Sequence, residues 1–353
     1  MKPYLFAGLI LSCCVAQSAR AERDFDLFIE PSISSGYGST SYVLDETGYL
    51  DKSLTIIGHV KSELIFHLNT TYAGVRFGIK SRPSSKSEWS VEGSYRINVA
   101  DPRDRMSDKD WESAPGIFEG LWSTTTSSSK QHSSQWSLEG SIAIIRSHWF
   151  SAGPVAGFQF QHVKQDIYGL EGWQLYNNFQ DTGIFDIPGG NVAYYEVTWK
   201  TPYVGTYYEA KPSNAWNIRL MTAFAPTFVN DKDIHMLRVH DGIASGNGLG
   251  FVARLSTELN LGSNRAEYHP YVGLSADFKS LSVHGKQELY WYATETDGTD
   301  TSPAGTRIGN VPHQMVTSQW QISLRVGLMF GRNPAHSRGR ESTGADDRKR
   351  TLF

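Results

Sequence analysis

Residues 320–330 alternate without a break. Trp320, Ile322, Leu324, Val326, Leu328 and Phe330 fall on one parity, and Gln321, Ser323, Arg325 and Gly327 on the other. A period of two means a strand, because successive side chains point to opposite faces of a pleated backbone. The same pattern recurs in 251–261, where Phe251, Ala253, Leu255, Leu259 and Leu261 oppose Arg254, Ser256, Glu258 and Asn260. It recurs again in 136–144, where Trp136, Leu138, Ile142 and Ile144 oppose Ser137, Glu139 and Ser141. Stretches of this kind lie near 26–44, 58–80, 86–100, 132–146, 148–165, 192–210, 214–229, 247–262, 267–285 and 315–330, which predicts ten strands.

The connections alternate in length. Tight turns are predicted at Arg82-Pro83-Ser84-Ser85, Arg146-Ser147, Lys211-Pro212-Ser213-Asn214 and Gly262-Ser263-Asn264. Long polar loops are predicted over 45–57, 101–131, 166–191, 230–246 and 286–314. Short turns at one end and long loops at the other describe an outer-membrane barrel with periplasmic turns and extracellular loops. A soluble sandwich would need to hide its apolar faces in a core. A barrel shows them to lipid and closes on itself so that no strand edge is left unpaired. The expected fold is therefore all-β: a ten-stranded antiparallel transmembrane β-barrel over 22–330, closing on a strand with an aromatic end, Phe330.

The flanks read differently. Lys2, the apolar run Leu5 to Val15 and the small-x-small sequence Ala19-Arg20-Ala21 predict a secretory signal over 1–21. Both cysteines, Cys13 and Cys14, fall inside it, so neither disulfides nor thiolate metal sites are expected in the remainder. Residues 331–353, crowded with Arg332, Arg338, Arg340, Asp346, Asp347, Arg348, Lys349 and Arg350, carry no apolar period and predict a disordered periplasmic tail. The formal net charge of −3 becomes two units more negative without Lys2 and Arg20, which argues against nucleic acid as a partner.

Two acidic motifs lie in the predicted long loops. Asp108-Lys109-Asp110-Trp111 follows strand three, and Asp231-Lys232-Asp233-Ile234-His235 follows strand seven. In a ring of ten these positions face each other across the mouth. Asp233, two residues before His235 in extended chain, can fix the imidazole tautomer, and an imidazole so held can take a proton from water. Asp108 and Asp110 can hold that water from the opposite wall, so the chemistry on offer is hydrolysis of an acyl bond. Two carboxylates this close do not ionise independently, and one of them is expected to have a raised pKa. Together with His240 the acids could instead form an oxygen-rich calcium site, but nothing has the spacing of a calcium loop, and no metal is expected.

These two motifs, and the strands around them, resemble the omptin family of outer-membrane endopeptidases. Asp108-Lys109-Asp110-Trp111 is similar to the family's Asp-x-Asp-Trp segment, and Asn230-Asp231-Lys232-Asp233-Ile234-His235 to its Asn-Asp-x-Asp-x-His segment. Thr201-Pro202-Tyr203-Val204-Gly205 and Gly153-Pro154-Val155-Ala156-Gly157 resemble its sixth and fifth strands. The resemblance implies that His235 activates water, Asp233 orients it, and Asp108 with Asp110 completes the water site. It implies polypeptide substrates with basic residues, held by Asp231 in the pocket before the scissile bond, and Glu119 near the acid used after it. The family's second pocket acid, counted from Ser35-Gly36, falls at Thr40. No cofactor is implied, with lipopolysaccharide as the candidate activator and lipid partner. The family's lipid-binding Tyr, Glu and Arg stand here as Phe158, Phe160 and His162. A catalytically inactive barrel acting as surface adhesin or receptor, and a passive pore, are the alternatives.

Overall fold

The computed structural model describes residues 25–50, 56–81, 87–100, 104–114, 118–176, 180–213, 215–262, 268–297 and 300–330. The predicted signal, 1–21, and the predicted tail, 331–353, lie outside the described residues. Ten staves account for the main sheet: β1 (Phe25–Leu50), β2 (Ile56–His67 and Thr70–Ser81), β3 (Trp89–Asn98 and Asp104–Ala114), β4 (Phe118–Ile142), β5 (Phe150–Tyr176), β6 (Asp181–Ser213), β7 (Trp216–Phe224 and Thr227–His235), β8 (His240–Asn260), β9 (Tyr268–Trp291) and β10 (Arg307–Phe330). Each pairs antiparallel with its sequence neighbours. β1 also pairs with β10, from Leu27 opposite Phe330 to Leu44 opposite His313, so the sheet closes.

The direction of the side chains settles what kind of barrel this is. On β10, Trp320, Ile322, Leu324, Val326 and Leu328 are exposed while Gln321, Ser323 and Arg325 are buried; Ile322 is 56% exposed and Arg325 3%. The same inversion holds on β1, where Ile33 is exposed and Glu30 buried, and on β8, where Leu255 and Leu259 are exposed and Ser256 is buried. An apolar exterior around a polar interior is the arrangement of a transmembrane barrel, not of a sandwich. Aromatic side chains border the band: Trp216, Trp149, Tyr268 and Phe330 at the end of the tight turns, and Tyr37, Trp136, Phe251 and Trp320 at the other.

The lumen within this band is filled. Arg76 donates from Nη1 to both carboxylate oxygens of Glu30 at 2.8 Å and pairs with Glu92 through Nη2. Arg325 reaches Glu30 at 3.0 Å, and Arg254 binds Asp277 at 2.6 Å and Glu139 at 3.1 Å. Tyr271 and Tyr203 donate to Glu30 and Glu139 at 2.6 and 2.8 Å. Buried charges are tolerated only when paired and hydrogen-bonded, and these form one continuous plug. A cavity of about 620 Å³ opens at the turn end beneath it, lined in part by Asp26, Glu30, Arg76, Glu92 and Glu258.

Beyond the band the staves do not give way to loops. Residues 104–114, 118–131, 166–176, 181–191, 230–235, 240–246, 286–291 and 307–314 are strand, where long loops were expected. The outer face of these extensions is largely polar and the inner face mixes the acids with buried apolar side chains such as Met106, Ile167 and Val311, so the alternation that reveals the membrane band fades although the backbone ladder continues. The catalytic candidates therefore sit on strand hairpins that prolong the barrel.

Candidate active site

Asp108 and Asp110 lie on the upper part of β3, opposite Thr125 and Ser123 of β4 and Leu64 and Ser62 of β2. Asp231, Asp233 and His235 lie on the upper part of β7, between β6 and β8. The i, i+2 spacing turns each set to the lumen, and Asp110, Asp231 and Asp233 are buried. The hairpin tip Met236–Val239 then returns the chain so that His240 pairs with His235, with their rings 4.7 Å apart.

Asp233 is the hub. Its Oδ2 lies 2.7 Å from His235 Nε2 and also accepts a hydrogen bond from the Tyr42 hydroxyl of β1. With Nε2 engaged, the imidazole can present Nδ1 to water. Burial acts to raise the Asp233 pKa, but the charge and hydrogen bond of His235, with the Tyr42 hydrogen bond and His240, together outweigh it and hold the carboxyl below its ordinary value. For His235, burial favours the neutral ring, yet the charge and hydrogen bond of Asp233, with the charge of Asp108, together raise its pKa. On the facing wall Asp108 is pushed up to about 7, first by burial and then by Asp110; Arg238 and His235 pull the other way. His240 moves oppositely, down to about 4, through burial and then the positive His235 and Arg238. The two motifs are thus within electrostatic reach across one cleft. This is the separation of acid and base character that proton-transfer chemistry needs.

Asp231 lies deeper, with neither oxygen hydrogen-bonded; its Oδ2 is 3.4 Å from His313 Nε2 of β10. Thr40 is buried on the lumen side of β1, with its hydroxyl donating to Thr317 at 2.9 Å. Glu119 is exposed near the tip of the β3–β4 hairpin, opposite Ser113, and no contact recorded among the described residues ties it to the cluster. Phe158 and Phe160 pack on Trp136 with centroids 5.2 and 5.6 Å apart, and His162 Nδ1 lies 3.1 Å from the Thr198 hydroxyl. Among the described residues, no group of three or more His, Cys, Asp or Glu is arranged to hold a metal ion.

A sequence model of the Omptin family matches residues 58–239, just over half of the chain. The chain belongs to the omptin family. This omptin superimposes on the crystal structure of the outer membrane protease OmpT from Escherichia coli with a TM-score of 0.62, at 12% identity, covering 89% of this chain and 99% of that one. At that identity the likeness shows the fold. A FadL homologue from Pseudomonas aeruginosa aligns over 86% of this chain and 90% of its own at 9% identity, with a TM-score of 0.27 that carries no argument. No curated protein sequence matches this omptin.

The matched segment ends at the hairpin tip, so it contains both acidic motifs but none of β1 or β10. Tyr42 and His313, which touch Asp233 and Asp231, come from those two staves. Alternation alone places both on the lumen face, but only closure of the barrel makes them neighbours of the motifs.

Proposed function

We propose that this omptin is an outer-membrane endopeptidase that hydrolyses polypeptides with water activated by His235. The observation that carries this reading is the 2.7 Å contact between Asp233 and His235, with Asp108 of the facing wall near enough to feel the charge of both. The cleft faces the outside of the cell. Asp233 holds the imidazole and balances the charge it gains on taking a proton from water. Asp108, whose carboxyl sits near neutrality, and Asp110 hold that water as it attacks the peptide carbonyl. His235 then returns the proton to the leaving amine. No side-chain nucleophile takes part, and no cofactor enters the step.

Asp231 supplies the carboxylate for a basic side chain before the scissile bond, by charge-assisted hydrogen bonds. Glu119 stands at the rim, where residues after the scissile bond would pass. The aromatic surface of Phe158, Phe160 and Trp136, with His162 above it, is where lipopolysaccharide would lie. It offers stacking rather than a cluster of cations, so a weak dependence on that lipid is expected.

Cleavage of a quenched fluorescent peptide library by the refolded barrel, with and without lipopolysaccharide, tests the reading beside His235→Ala and Asp108→Ala. Wild type should cut, and each variant should lose about 10²–10⁴-fold, the range for losing general acid–base catalysis. A correctly folded wild type that cuts nothing in either condition points instead to an adhesin or receptor.

A further inference from the structure

The floor of the cleft holds an unusual set of unsatisfied groups. Asp231 has both oxygens without a hydrogen bond, His313 both ring nitrogens, and Tyr195 its hydroxyl, and all three side chains are buried. Native proteins leave few buried polar atoms unpaired, and several meeting in one place mark a binding site more readily than a packing fault. The Asp231 and His313 side chains are each only 1% exposed and approach to 3.4 Å without forming an aligned hydrogen bond. The His313 ring is held there against Tyr42, with centroids 5.2 Å apart. Thr40, on the same β1 face, turns its hydroxyl to Thr317 and brings no second carboxylate.

A lone buried carboxylate would attract a cation strongly, since it has no other way to recover its lost hydration. Here His313 already stands against it. The floor consequently presents donors as well as acceptors: an N–H of His313 and the Tyr195 hydroxyl, which lies within the field of Asp231, together with the Asp231 oxygens. A guanidinium or ammonium has only donors to offer and must displace the imidazole. A carboxamide has one donor group and one acceptor, and matches the floor as it stands.

We propose that His313 is a specificity-determining residue, which lowers the pocket's demand for arginine or lysine and lets it accept an uncharged amide side chain, glutamine foremost, before the scissile bond. This rests on the peptidase reading above and refines its substrate class.

The test compares matched peptides that differ only in that residue, with Arg, Lys, Gln or Leu, using the refolded full barrel. Wild type should prefer Arg to Gln by less than about tenfold in kcat/KM. His313→Ala should widen that ratio by at least about tenfold, through KM. His313→Gln, which keeps a donor, should stay near wild type, and Asp231→Asn should bring Arg down to the level of Gln. His313→Leu, which preserves more of the volume, replaces the alanine variant if that fails to fold. An unchanged ratio in the folded His313 variants, or a wild type that cuts only after Arg or Lys, overturns the proposal. Benzamidine binding to the same proteins needs no turnover. If wild type cleaves nothing, so that the peptidase reading fails, tighter binding by about tenfold in His313→Ala still supports the guarded carboxylate, and equal binding removes it.

Discussion

Tyr42 shares the oxygen of Asp233 that His235 uses, which makes it a positioning residue with a distinct signature. Its hydroxyl withdraws charge from the carboxylate and so limits how far Asp233 raises the His235 pKa. Tyr42→Phe should therefore move the acidic limb of the kcat/KM profile upward. One hydrogen bond of about 1 kcal/mol corresponds to a shift of roughly 0.7 pH unit. Activity should fall severalfold at neutral pH and recover in alkaline buffer, whereas a general loss of packing would lower the profile without moving it. Wild type itself should lose activity as pH falls through the His235 value, which lies above that of an ordinary imidazole, because the base must be neutral.

Asp108 makes a prediction about stability. Its pKa in the folded barrel, about 7, is above the 3.8 of an unstrained aspartate. The unfolded chain therefore ionises first, and folding loses stability as pH rises from about 4 to about 7. Asp108→Asn removes that penalty. It should raise the urea midpoint of the refolded barrel near pH 8 by an amount worth up to a few kcal/mol, at about 1.4 kcal/mol per unit, and change little near pH 4. Equal effects at both pH values would contradict the shifted carboxyl.

At the scale of the staves, the lumen network decides stability. Glu30 is 1% exposed and is shared by Arg76, Arg325 and Tyr271. Glu30→Ala removes the carboxylate that Arg76 and Arg325 share, leaving Glu92 and Glu258 to balance them, and should cost up to about 3–5 kcal/mol in urea unfolding. Asp166→Ala, which breaks a half-exposed pair with Lys164 at 3.6 Å, should stay within about 0.5 kcal/mol.

The staves also show what a sequence can and cannot reveal. Lipid selects apolar side chains on one parity, so the membrane band was legible down to Trp320 opposite Arg325. Above the band water wets the outside, and the inside mixes acids with buried side chains such as Phe66 and Met106, so neither parity is uniformly apolar and the pattern reads the Asp108 stretch as loop although it is strand. The acidic motifs themselves were legible because each is local, with spacing that puts both groups on one face. Tyr42 and His313 are not, since each meets its carboxylate only through the closing of β1 on β10, with Tyr42 and Asp233 separated by 191 positions in the chain.

On the scale of the whole molecule, the barrel is closed, lipid-facing on the outside, plugged across the middle and carries the two acidic motifs inside its hairpin end. A pore needs the plug removed. Reconstituted in a planar bilayer, wild type should show no steady conductance, and an ohmic channel would mean that the ion-pair network does not hold. The hairpins that bear the two acidic motifs are extensions of the same sheet, so on the proposed mechanism the water site is built on paired strands rather than on loops.

On the proposed mechanism, water held between His235 and Asp108 attacks the peptide bond with no covalent intermediate. Single-turnover cleavage of a peptide in ¹⁸O-labelled water, with mass spectra of both product and intact barrel, puts that step to the test. The new carboxylate should carry one labelled oxygen, and the barrel should never gain the mass of an acyl fragment. A covalent acyl adduct on the protein, or no labelled product from a correctly folded barrel, would contradict it.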